Sequence, residues 1–242
     1  MQNQLESLYL EYINFMYSDS ELYNSVEKFE ISSPIFVDCN AEKGKYLNSE
    51  FKVLYVGQET NYWFNEKERE QAGLLSSIND KDKYLKALVS LYSTFNIGEK
   101  YRSSIFTFLD LVISELETYK KSVGVLWTNV LRHDYYGYKR VPYNVESKIT
   151  YENNYILRKE IEILKPNAIV FVTGPSYDLA LKNTYRDLKF IEIESWSLNE
   201  CAILESDVFK CKAIRVYHPN AHNRRGADYK HELSKLISRI LN

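Results

Sequence analysis

The order of elements in the sequence predicts an α/β protein: a three-layer αβα sandwich around a mostly parallel central sheet. Three observations carry this. The short apolar runs FKVLYVG, SVGVLWTNVL, AIVFVT and KAIRVY, bounded by turn residues, read as buried strands. Amphipathic segments at helical spacing alternate with them, as crossover connections between parallel strands require. No internal repeat or linker interrupts the 242 residues, so a single domain is expected.

The elements follow in order. Leu5–Tyr17 places Leu5, Leu8, Tyr9, Tyr12, Ile13 and Met16 at helical spacing and predicts an amphipathic helix. Glu21–Phe29 reads as a second, shorter one, before the punctuation of Ser32-Ser33-Pro34. Phe51–Gly57 is the first strong strand, rich in Val, Leu and Tyr and ending at glycine. In the polar stretch after it, Glu66–Glu70 looks like a solvated helix face or a mobile loop. Lys83–Tyr92 and Ser104–Tyr119 are the next helices, the second with Ser103 or Ser104 as N-cap. Ser122–Leu131 is a second strand, followed by the polar, aromatic loop RHDYYGYKRVPYN. A helix over Asn153–Leu164 stops at Lys165-Pro166-Asn167. Ala168–Thr173 is a continuous apolar run suited to a buried parallel strand. Gly174-Pro175-Ser176 turns into a helix at Tyr177–Lys182. Phe190–Trp196 and Ala202–Leu204 form a more irregular β region, Lys212–Tyr217 is the last strand, and Asp228–Leu241 the closing helix.

Composition excludes several classes. With 45% hydrophobic and 26% charged residues, the chain has a globular balance rather than that of a disordered one. The best apolar stretches, such as Ala168–Val172, fall far short of the roughly 20 residues a membrane span needs. The start MQNQLESLYLEYINF lacks a basic segment followed by an apolar block, so no secretory signal is expected. Cys39, Cys201 and Cys211 are odd in number and dispersed, which fits reduced thiols and a cytoplasmic location. They are also too few for a structural zinc site or a four-cysteine iron–sulfur cluster. His218 and His222 are four apart, but Pro219 argues against a regular helix between them, so no metal site is expected.

Net charge is −2, yet it is unevenly spread. Residues 1–120 hold 12 Lys and Arg against 19 Asp and Glu, whereas residues 121–242 hold 19 against 14. Such asymmetry can conceal a basic face. Arg132, Lys139, Arg140, Arg215, Arg224 and Arg225 group near strand ends and are candidates for it, or else belong to an ordinary solvated surface. The 21 tyrosines suit half-buried positions and stacking surfaces, and equally the codon bias of a low-GC genome.

Ligands in open α/β sheets bind outside the carboxyl ends of the strands. Four such ends carry chemistry-bearing residues: Gln58-Glu59-Thr60-Asn61, Asn129 with Arg132, His133 and Asp134, Gly174-Pro175-Ser176, and His218-Pro219-Asn220. Glu59 reads as a carboxylate that activates water or stabilises a developing cation, or as an acid at a helix N-terminus. His218, held by the following proline, reads as a donor to a developing oxyanion or as a structural histidine. Asn129 offers a donor and an acceptor, which suits the edge of a base or the nearby backbone. Tyr55, Tyr62, Trp63, Phe64 and Trp127 are candidates for stacking on a flat ring or for the core. Asn223-Arg224-Arg225-Gly226, before the last helix, would suit a phosphate, or the arginines pair with acids. No HExxH, Walker A loop, GxGxxG or GxSxG is present.

Gly57-Gln58-Glu59 after the first strand, Asn129 closing the second and His218-Pro219-Asn220 after the last resemble the uracil-DNA glycosylase superfamily. That family carries a GQDP-type first motif and an HPS-type second motif at strand ends. The resemblance covers a core at 51–242, with 1–40 as an N-terminal helical extension. It implies hydrolysis of the N-glycosidic bond of a flipped-out uracil or other modified base in DNA, without metal or cofactor. Glu59 then matches the acid that positions water and stabilises the sugar cation, and His218 the group that stabilises the leaving base. Asn129 matches the amide that reads the base edge; Gln58, Tyr62 and Trp63 are the further candidates for binding the base, and Ser176, Asn220, Asn223, Arg224 and Arg225 those for phosphate and DNA. The sequence departs from the pattern at Thr60, which replaces the proline, at Asn61, where a thymine-excluding tyrosine stands, and at Asn220, which replaces serine. Ala221 and His222 stand where the family has an apolar wedge. The rival expectations are a non-catalytic nucleic-acid or nucleotide-binding module on the same fold, and an unrelated small-molecule enzyme.

Overall fold

The computed structural model describes residues 1–28, 30–60, 66–94, 103–135, 143–222 and 226–242. In chain order the elements are α1 (Gln2–Ser18), α2 (Ser20–Glu27), α3 (Ala41–Asn48), β1 (Phe51–Gly57), α4 (Glu66–Gln71), α5 (Leu74–Ser77), α6 (Lys81–Thr94) and α7 (Ser104–Leu116). They continue with β2 (Val123–Asn129), α8 (Tyr143–Leu164), β3 (Ala168–Phe171), a 3-10 turn at Pro175–Tyr177, α9 (Asp178–Thr184), β4 (Lys189–Ile191), β5 (Cys201–Glu205), β6 (Lys212–Val216), α10 (Pro219–His222) and α11 (Ala227–Leu241). The α/β class expected from the alternation is therefore observed. No helix among the described residues is long and apolar enough to cross a membrane.

The chain divides into two compact units. The first comprises Met1–Ala41, Gln58–Thr94 and Thr128–Leu164; the second comprises Glu42–Gly57, Phe95–Trp127 and Lys165–Asn242.

The first unit is helical. The six α1 residues read as an apolar stripe are all buried, and α1 packs on α2, α6 and α8. Asp19 caps α2, its carboxylate accepting from the amides of Glu21 and Leu22. Glu66–Glu70 does lie in a helix, but Arg69 is buried, which departs from the solvated face expected there.

The second unit contains the six-stranded sheet, in the order β2-β1-β3-β6-β5-β4. β1, β3 and β6 are parallel, with Val53 opposite Ala168 and Ala168 opposite Lys212. All four residues of β3 are buried, as the unbroken apolar run implies. β5 and β4 instead run antiparallel, with Cys201 opposite Val216 and Lys189 opposite Glu205. The reason is connection length. A parallel return needs a crossover of about a dozen residues or more, and the segment from Glu205 to Lys212 is too short for one. The sheet is thus mixed, with its parallel strands grouped together. Ser103 caps α7, accepting from the Phe106 amide, and α7 packs along α11.

Three further elements depart from sequence expectation, the first being α8, which begins at Tyr143 within the segment read as a loop rather than at Asn153. Pro219 was a reason to expect no helix after His218; it instead opens the single turn α10, at a position where its missing N–H is not needed. Helix α3, AEKGKYLN, has too little apolar periodicity to announce itself. Its seat on β2 is made by Gly124, where a Cβ would fall 2.7 Å from Tyr46 Cα, 2.8 Å from Ser49 Oγ and 2.9 Å from the Lys45 carbonyl oxygen. Two of these are backbone atoms, which cannot swing aside. Gly124→Ala is therefore expected to lower unfolding free energy by about 1–3 kcal/mol in urea melts. An unchanged midpoint would show that α3 is not seated on this strand.

Candidate functional site

The sequence-nominated residues fall in both units. Gln58, Glu59 and Asn129 belong to the first; Ser176, His218 and Asn220 belong to the second. Tyr62, Trp63, Asn223, Arg224 and Arg225 lie outside the described residues, as do Asn61, Phe64, Lys139 and Arg140.

In the first unit, the segments that leave β1 and β2 are stitched together. The Leu131 amide donates to the Gln58 carbonyl at 2.9 Å. Thr60 is 2% exposed, and its hydroxyl donates to Asp134 Oδ1 at 2.8 Å. Ser32 Oγ lies 3.2 Å from Thr60 Oγ1 and accepts from the Asp134 amide at 2.9 Å. Ser32 and Asp134 also bond through the backbone at 2.8 Å. Glu59, half-buried, sits between these two ties. Asn129 is 1% exposed, and neither its Oδ1 nor its Nδ2 has a hydrogen-bond partner among the described residues. A buried amide with both its polar atoms unmatched carries a desolvation penalty that a ligand offering one donor and one acceptor would remove.

The residues just beyond Asn129 do different work. Arg132 is wholly buried and makes a two-pronged ion pair with Glu160 of α8, Nη1 to Oε1 at 2.8 Å and Nη2 to Oε2 at 2.6 Å. Burial by itself lowers the arginine's proton affinity, but Glu160 more than offsets this and the guanidinium stays charged. His133 is buried as well. Its Nδ1 lies 2.6 Å from the Ser32 carbonyl oxygen, which only accepts, so that nitrogen carries the proton; Nε2 then accepts from the Tyr12 hydroxyl at 2.8 Å. Arg132 is therefore no part of a basic surface, and neither is Arg215. The latter, 1% exposed, pairs with Asp178 at 3.0 Å and donates to the carbonyls of Leu198 and Asn199. A buried guanidinium with its donors spent on a carboxylate and carbonyls cannot serve a phosphate.

In the second unit, the β3 and β6 ends are neighbours. Val216, last in β6, accepts from the Gly174 amide at 3.0 Å. Gly174 has φ 66° and ψ 175°, a conformation confined in practice to glycine. A Cβ there would lie 3.4 Å from the His218 amide nitrogen. His218 is half-buried, and its Nδ1 accepts from the Asn220 amide at 3.2 Å. That bond places the ring proton on Nε2. Burial lowers the His218 pKa, which favours the neutral ring. The imidazole is thus prepared as a neutral N–H donor. Ser176 and Asn220 are both exposed nearby in sequence to these ends.

Of the aromatic candidates, Tyr55 and Trp127 are core residues. Tyr55 is fully buried with its hydroxyl on the Ile105 carbonyl, and Trp127 packs edge-on against Phe106 at 5.5 Å. Among the described residues no group of three or more His, Cys, Asp or Glu side chains gathers as a metal site. Sequence reasoning does not single out the Thr60–Asp134–Ser32 tie. Its one signal is the hydroxyl-bearing residue standing where the resembled motif has proline.

Compared with known proteins, the chain matches no family model and no curated sequence.

Proposed function

We propose that this α/β protein is a divergent uracil-DNA glycosylase-like N-glycosyl hydrolase, built on that family's αβα fold and acting on a flipped-out uracil or other modified base in DNA. The single observation that supports this most is Asn129. Among the described residues its buried amide has neither its donor nor its acceptor matched, the complement of a heterocycle edge bearing a carbonyl beside an N–H. His218, in the second unit, is matched by the resemblance to the group that stabilises the leaving base, and its neutral Nε2–H is a donor of the kind a departing base anion needs. Under this reading Glu59 orients the attacking water and stabilises positive charge developing on the sugar. Its place directly after a buried parallel strand suits that role.

The test is base release from oligonucleotides that carry one uracil or one deaminated, alkylated or oxidised base, single-stranded and duplex. Release is expected from at least one substrate, with Glu59→Gln and His218→Ala each lowering the single-turnover rate by about 100-fold or more. Asn129→Ala is expected to lose discrimination between bases. Salt-sensitive binding with no release from any substrate would overturn hydrolysis and favour a binding module instead.

A further inference from the structure

We propose that Thr60 is a positioning residue for Glu59, acting through buried Asp134. The inference rests on the catalytic role given to Glu59 above. The geometry behind it lies wholly within the first unit. Glu59 is flanked on one side by the Gln58 carbonyl, which accepts from Leu131, and on the other by the Thr60 hydroxyl, which donates to Asp134. Leu131 and Asp134 belong to one short segment after β2, so both ties run to the same anchor.

That anchor is itself immobilised. Asp134 is 4% exposed. Its backbone is bonded in both directions to Ser32, amide to Ser32 Oγ and carbonyl to Ser32 N. Ser32 Oγ, having accepted from Asp134, is left to donate to Thr60 Oγ1, so the three side chains form a closed chain of donors. Ile31 and Tyr135 pair beside it as an isolated bridge, and the Ile35 amide donates to the Arg132 carbonyl. A turn that a proline would stiffen covalently is here held by a buried hydroxyl–carboxylate bond. At 2.8 Å and buried, this bond ties the residue after Glu59 to the rigid segment.

The role separates from simple structural support by a two-background comparison. Thr60→Val removes the hydroxyl at nearly constant shape, and Thr60→Ser keeps it. Each is made alone and together with Glu59→Gln. Single-turnover release is measured on the best substrate of the oligonucleotide panel, beginning with the uracil-bearing one, with thermal melting of each variant alongside. Thr60→Val is expected to lower the rate about 10–100-fold, the penalty for an ångström-scale misplacement of a reacting group, with KM nearly unchanged. Thr60→Ser is expected to restore most of it. In the Glu59→Gln background Thr60→Val should have no further effect, because the group it positions is already gone. Equal losses in both backgrounds, or a Thr60→Val enzyme as fast as the parent while Glu59→Gln is slow, would overturn the inference and leave the glycosylase reading standing. Absence of release from the parent protein on every substrate would overturn both.

Discussion

Glu160→Ala is expected to lower the unfolding free energy by about 3–5 kcal/mol, because it strands a guanidinium that no water reaches. Both side chains of the Arg132–Glu160 pair have no exposure. Glu160 accepts from four donors at once: Arg132 Nη1 and Nη2, the Tyr9 hydroxyl at 2.6 Å and the Thr128 hydroxyl at 3.1 Å. Among the described residues, truncation leaves Arg132 with Thr128 Oγ1 at 2.6 Å and the Ile35 carbonyl at 3.4 Å, neither of which carries a charge. It also frees the Tyr9 hydroxyl, which now accepts from the Val37 amide while donating to Glu160. The effect is large beside the roughly 5–15 kcal/mol that holds an ordinary domain together. Urea melts should show a lower midpoint at nearly constant slope.

Should the single variant fail to fold, the double variant Arg132→Met, Glu160→Met keeps the prediction testable. Removing both charges together leaves no unpaired ion, so the double variant is expected to be more stable than Glu160→Ala alone. A Glu160→Ala protein within about 1 kcal/mol of the parent would mean that water reaches Arg132 and that the pair is not truly desolvated.

The strands could be read from the sequence because burial on both faces leaves an unmistakable apolar run: FKVLYVG forms β1, and the first four residues of AIVFVT form β3. The antiparallel β4 and β5 were harder. Lys189–Ile191 is mostly exposed and three residues long, so its pattern carries almost no signal. The site divides in the same way. Sequence singled out Asn129 at one strand end but could not tell what Arg132, His133 and Asp134 beside it do. Arg132 finds its carboxylate 28 residues away on α8, and His133 finds its hydroxyl in α1. Only folding reveals that the Arg132 Nη atoms and the His133 ring are already engaged, whereas both amide atoms of Asn129 lack a partner among the described residues. Charge asymmetry misleads for a related reason: an arginine counted toward a basic half does not act as surface charge once it is buried against an acid, as Arg132 and Arg215 are.

Mild acid should weaken the protein, and His133 supplies the reason. Burial pushes its pKa down to about 4, aided by the nearby Arg132 charge and opposed by the Ser32 carbonyl and Asp134. In the unfolded chain the same ring takes up a proton near pH 6.5. Between those two values the unfolded state therefore holds the extra proton and the folded state does not. Stability must fall as pH falls through this window, by about 1.4 kcal/mol per unit at full slope and roughly 3 kcal/mol in all by pH 4. Below the folded pKa both states are protonated and this group adds nothing more. His218, also lowered by burial, acts in the same direction. Protonated His133 would present an N–H to the Tyr12 hydroxyl in place of an acceptor, so the bond now at 2.8 Å would have to reverse. The measurement is a series of urea melts from pH 7.5 to 4 on the parent and on His133→Asn, whose amide N–H can still reach the Ser32 carbonyl but cannot titrate. The variant starts from a lower stability, having lost the acceptor for Tyr12. What decides the matter is slope: the variant's curve should be flatter by close to one proton between pH 6 and 4.5. Parallel curves would show that His133 is protonated as readily in the folded protein as in the unfolded chain, and that the burial described for it does not hold in solution.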